Sequence, residues 1–451
     1  MARANPYELT PDRVRDPPET LLGAFRHIGP GLILSASIVG SGELIATTIL
    51  GATAGFVTLW VILVSCLVKV TVQLEFGKHA IHTGEPTMLA LNSLPGPRLM
   101  KVGWPIWTWL GLMAPKMLQL GGIVGGVVLA LLIVFPGVPA GVWAYATAVA
   151  VSLLVFHGLY EPIERVTLVM IALFSAFTLA SVLFLQATPF AIRPEDVWSG
   201  LTFQLPPEAV VVAIGAFGIT GIGGDEIMAY NYWLLEKGFA AFTGPNDGSE
   251  AWRRRARGWI RVMYVDAWFS MAVYTTVTCA FYLLGASVLH GSSNIPEGDT
   301  LIASLATMYT ESLGPWATNV FLLGAFLVLF STLFSALAAW TRLFSDAFAQ
   351  FGLVDFQSDL SRRRSIAALA WVLPVLWATV FMYFRAPGGM VIIGGLATYL
   401  MLFVVVFAAL YFRYRRLNPA LHPSVLYDVM LWLSGLAIGL VGCYGLVQII
   451  G

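Results

Sequence analysis

A helix needs about 20 predominantly apolar residues to cross the ~30 Å hydrocarbon core of a bilayer. This chain offers eleven such runs, at roughly 30–50, 55–77, 104–134, 138–157, 166–186, 209–235, 259–286, 315–341, 365–384, 389–412 and 425–448. That repetition limits the fold to a bundle of membrane-spanning helices, because lipid tolerates only structures that satisfy their own backbone hydrogen bonds. Composition agrees: 58% of residues are hydrophobic and 11% charged, too little charge to cover a soluble surface of this size.

Lys and Arg orient the bundle. With the N-terminus in the cytoplasm, alternate loops collect Arg13, Arg15 and Arg26, then Lys78, Arg98 and Lys101, then the run Arg253, Arg254, Arg255 and Arg257, then Arg362 to Arg364 and Arg413 to Arg416. The opposite loops hold only Arg193 and Arg385. The expected architecture is an all-α membrane protein of 11 transmembrane helices with a cytoplasmic N-terminus. Residues 1–29 form an N-terminal segment and 30–448 a single transporter domain. Pro6, Pro11, Pro17 and Pro18 break up a polar start that does not read as a cleavable leader. The arginine run at 253–257 is expected on a solvated loop, around 236–258.

Several classes of function drop out. Formal net charge is zero, so no basic field points to nucleic acid. Cys66, Cys279 and Cys443 lie in apolar runs with no CxxC or Cys/His pattern, so neither disulfides nor a zinc site is expected. No HExxH or comparable enzyme motif occurs at mid-membrane. The expected partners are the lipid bilayer and a small solute, with no cofactor, in a bacterial cytoplasmic membrane.

Two spans are interrupted. The first reads Gly40-Ser41-Gly42-Glu43-Leu44-Ile45-Ala46, and the sixth reads Gly221-Ile222-Gly223-Gly224-Asp225-Glu226-Ile227-Met228-Ala229. Each places glycines at mid-span, then an acid, then a small apolar run. They open the two halves of a 5+5 inverted repeat, 30–186 and 209–412, with 425–448 as an extra helix. Glycines at membrane depth also serve plain helix packing. Acids beside them do not fit that purpose, since a charge there is expensive unless paired or functional. Discontinuous helices at matching places in two halves mark a transporter's binding site.

These features resemble the Nramp family of metal-ion transporters, on Gly29-Pro30-Gly31 leading into a broken first helix and on the broken sixth. The resemblance implies a LeuT-like fold, alternating access and, usually, proton-coupled uptake of divalent transition metals. It also exposes departures. The family's Asp-Pro-Gly-Asn falls on Gly40-Ser41-Gly42-Glu43, so Gly40 replaces a metal-binding Asp. Its Met-Pro-His falls on Gly223-Gly224-Asp225, with Glu226 next. Acids of its third helix fall on Lys116 and Gln119, while Asp266 matches a family acid. Loss of the thioether leaves an all-oxygen site of Glu43 and Asp225, with Glu226 and carbonyls near Gly40 and Gly223. Oxygen sites suit Mg²⁺, Ca²⁺ or Mn²⁺.

The expected function is secondary-active transport of a small inorganic cation, most simply a hard divalent metal held by Glu43 and Asp225. The alternative is the same fold carrying an amino acid or other carboxylate, held by the glycine N–H groups and Lys116. Lys116 reads equally as an ion-pair partner of Glu43, Asp225 or Glu226. Asp266 reads as a coupling group or as the partner of Arg261. Lys69, in the second span, is expected to snorkel to the cytoplasmic end or to pair with an internal acid.

Overall fold

A computed structural model of the chain describes residues 5–31, 40, 42–156, 160–291 and 298–450. Its long helices fall on the predicted runs. The first span's described part is α1, a wide turn Gly42–Thr47 running into Thr48–Ala54; Ser41 of the expected break lies outside the described residues. There follow α2 (Leu59–Thr83), α3 (Trp104–Val134), α4 (Ala140–Phe156) and α5 (Tyr160–Leu185). The sixth span is split into α6a (Val210–Ile219) and α6b (Gly224–Lys237). The rest are α7 (Glu250–Leu284), α8 (Ala317–Gln350), α9 (Asp359–Phe384), α10 (Pro387–Tyr411) and α11 (Val425–Ile450).

By length and composition, eight stretches among the described residues can cross a membrane, the first running continuously from Gly42 to Thr83. Ala140–Phe156 and Ile171–Leu185 are shorter apolar helices. The outer helices α9 and α11 bury only a third of their apolar windows, whereas the broken sixth span buries 83% of its own. A helix apolar all round but sunk in protein belongs at the centre of a bundle. The interrupted span is therefore the core, wrapped by α2, α10 and α11.

Two local expectations fail. The arginine run at 253–257 is not loop but the first two turns of α7. Ser249 caps that helix by accepting the Trp252 N–H at 3.0 Å, and arginine is a good helix former once a cap is in place. The stretch 301–313, expected as loop, is a helix (Leu301–Leu313) whose Leu301, Ile302, Leu305 and Tyr309 pack inward.

Residues 5–29 cross the arginine-rich end of the bundle as a strap. Tyr7 donates to Glu236 at 2.7 Å, Arg15 N–H to Phe242 O at 3.0 Å, and Trp259 Nε1 to Arg15 O at 3.0 Å. Arg362 reaches Asn5 Oδ1 at 3.1 Å.

Candidate functional site

α6a stops because its chain turns at Thr220 (ψ 137°) and Gly221 adopts φ +68°, a left-handed value that costs other residues strain. α6b restarts at Gly224, with Asp225 and Glu226 in its first turn, where acids complement the positive end of the helix dipole. Glu226 reaches back to the Gly223 N–H at 2.6 Å, one arm of a capping box.

The break opens on a cavity of about 30 Å³, measured as space for the centres of water-sized molecules. A water needs roughly 10–15 Å³ by that measure, so the cavity holds about two waters or one small ion. Gly42, Lys116, Gln119, Gly223, Asp225 and Glu226 line it, together with Thr332 and Trp340 of α8 and Thr398 of α10. Five of the residues singled out in the sequence therefore share one space. Lys116 forms a buried ion pair with Asp225 Oδ1. The other oxygen, Oδ2, accepts the Trp340 indole N–H at 2.8 Å. Gln119 lies within 3.4 Å of the Thr398 hydroxyl.

Glu43 is not among the residues that line this cavity, although its neighbour Gly42 is. The glutamate is fully buried. Its Oε1 lies 3.2 Å from the Gly221 N–H and 3.2 Å from the Thr278 hydroxyl, which also lies 2.7 Å from the Tyr274 carbonyl and has one proton to give. Its Oε2 has no partner among the described residues. Gly40 backs directly onto Thr332, whose hydroxyl fills the room a side chain would need. At Gly42 an added Cβ would stand 3.2 Å from the Ile219 carbonyl oxygen, so the two broken spans meet main chain to main chain.

Asp266 sits elsewhere. It accepts the N–H groups of Gly29 at 3.0 Å and Gly31 at 2.6 Å and the Tyr230 hydroxyl at 3.0 Å. The expected Arg261 pairing is not what holds it: unsolvated main-chain amides at the start of the first span need an acceptor, and this carboxylate supplies it. Lys69 likewise does not snorkel, and it forms no ion pair with an acid among the described residues. It is completely buried and donates to the carbonyls of Phe217, Gly218 and Thr220.

Sequence reasoning misses Trp340, Thr332, Thr398 and Thr278, which are neutral residues inside apolar runs. Among the described residues no cluster of three or more His, Cys, Asp and Glu is arranged to hold a metal.

A family model described as natural resistance-associated macrophage protein-like, Nramp, matches residues 31–448. The chain belongs to the Nramp family. It is an integral membrane transporter and not an enzyme. Nramp relatives include the divalent metal cation transporter MntH of Nostoc sp., 23% identical over 427 residues, covering 91% of this chain and 89% of the relative. An uncharacterised protein of Pasteurella multocida is 25% identical over 326 residues, covering 70% and 69%. Among solved structures, a manganese transporter of Eremococcus coleocola superposes with TM-score 0.67 at 14% identity, covering 96% of this chain and 90% of that one. MhsT in complex with L-phenylalanine superposes with TM-score 0.58 at 16% identity, covering 96% and 99%. The Nramp and amino-acid-bound structures share one LeuT-like fold with this chain.

Proposed function

We propose that the protein is a secondary-active transporter of a small, hard divalent cation, Mg²⁺, Ca²⁺ or Mn²⁺, moved by alternating access around the two helix breaks. The observation that carries this reading is Glu43 Oε2, buried and without a hydrogen-bond partner among the described residues. A buried carboxylate with long, shared hydrogen bonds on one oxygen needs either a proton on it or a positive charge beside it, and a bound cation supplies the second. The chemistry of the cavity supports a hard ion. Its lining offers carboxylate, amide, hydroxyl and carbonyl oxygen, and no sulfur or imidazole. With both acids ionised, two carboxylates against one lysine give the lining a net negative formal charge, which favours a cation over a carboxylate solute. The functions named for the Nostoc relative and the Eremococcus structure point the same way.

Lys116 then has a role in the cycle. In the empty carrier it neutralises Asp225. An arriving cation takes its place, bound by Asp225, Glu226, Glu43 and main-chain oxygens near Gly40 and Gly223. Departure of the cation restores the internal pair.

The test is calorimetric titration of the purified, solubilised protein with Mg²⁺, Ca²⁺ and Mn²⁺ in turn, with Glu43→Gln as control. Saturable binding lost in the variant is the expected result. A folded protein that takes up none of the three would overturn the proposal.

A further inference from the structure

The last four carbonyls of an α-helix have no partner within it, and they carry the negative end of its dipole. α6a ends in the middle of the molecule, and residues 217–220 are all buried. Lys69 answers this from α2. Its ammonium has three protons and lies against three carbonyls, those of Phe217, of Gly218 at 3.1 Å and of Thr220 at 2.8 Å. Ser65, one turn earlier on the same face, stands 2.9 Å from the Phe217 and Thr220 oxygens. The Phe217 ring lies 5.1 Å from the ammonium. No carboxylate among the described residues is within ion-pair distance of Lys69, so its nearest counter-charges are main-chain oxygens and a ring face. This is the environment of a bound monovalent cation. Unwound carbonyls and half-helix C-termini hold free ions of that kind in transporters with broken helices.

We propose that Lys69 is a tethered cation filling a monovalent-cation site built from the C-terminal carbonyls of α6a, so that the sixth-span break needs no ion from solution to keep its shape. The ligand class that fits the vacated site is a primary ammonium ion. The site lies on the α2 side of the break, against carbonyls that no residue of the proposed transport site supplies, and the inference stands whatever solute the cavity carries.

Two variants test it in the full-length, solubilised protein. Lys69→Met keeps the apolar stem and removes only the charge. It is expected to lower the melting temperature by about 5 °C or more. Lys69→Ala vacates the stem as well, and n-propylammonium replaces what is lost. Its melting temperature is expected to rise with propylammonium chloride well beyond its rise with tetramethylammonium chloride at equal ionic strength, while the wild type does not distinguish the two salts. A Lys69→Ala chain that is monodisperse only with propylammonium present is the same result in stronger form. A Lys69→Met protein that melts with the wild type overturns the proposal. So does a folded Lys69→Ala protein that responds equally to both salts.

Discussion

Lys116 of α3 and Asp225 of α6b meet as an ion pair inside the cavity, with 3% and 7% of their side chains exposed. Removing one member of a buried pair strands the other's charge, at a cost of about 3–5 kcal/mol. Lys116→Met is therefore expected to destabilise the solubilised protein by about 3 kcal/mol, and Lys116→Met with Asp225→Leu by much less. A double-mutant cycle in denaturant measures the coupling. Additive losses would mean the pair does not act as one unit.

Glu43→Gln keeps an acceptor for the Gly221 N–H and replaces the carboxylate's bare oxygen. Folding should survive, with a melting temperature within about 2 °C of wild type, while cation uptake into proteoliposomes is abolished. Normal uptake by this variant would remove Glu43 from the transport site.

Glu236 is held by Arg342 through two hydrogen bonds, at 2.6 and 2.9 Å, and by Tyr7. The Arg342 guanidinium also lies 4.9 Å from the ring of Trp233, a residue of the cavity wall. This cluster latches the strapped end of the bundle. Glu236→Gln should speed maleimide labelling of a cysteine placed at Ala339, in a Cys443→Ser background, by roughly five-fold, the equivalent of about 1 kcal/mol. Unchanged labelling would show that closure does not depend on the latch.

Gly221→Ala forces a Cβ into a left-handed position, 3.2 Å from Cys66 Sγ. The expected loss is about 1–3 kcal/mol, read as a lower denaturation midpoint. A midpoint equal to wild type would mean that the break tolerates another path for the chain.

The interrupted spans are visible in the sequence because glycines and acids are conspicuous among apolar residues. Gly223, Asp225 and Glu226 are thus legible as one group, and Lys116 and Gln119 join them through the resemblance to the Nramp family's third helix. Partner identity is less legible. A lysine in α2 shows nothing of the carbonyls it will meet, because main-chain acceptors carry no sequence signal, and so Lys69 reads as a snorkel or as the partner of an internal acid. Asp266 reads as a partner of Arg261 for the same reason: its true donors are the amides of Gly29 and Gly31. Trp340 and Thr278 escape because a hydrogen-bonding tip on a mostly apolar side chain looks like packing until its neighbour is known.

The strap bears on how the protein is made. Asn5 donates to the carbonyl of Gln357 at 3.3 Å and accepts from Arg362, residues the ribosome supplies some 350 positions later. During synthesis Tyr7 and Arg15 can seat once Glu236, Phe242 and Trp259 are made, but Asn5 must wait until α9 arrives. The strap at the arginine-rich end is thereby complete only once the chain has been made as far as α9.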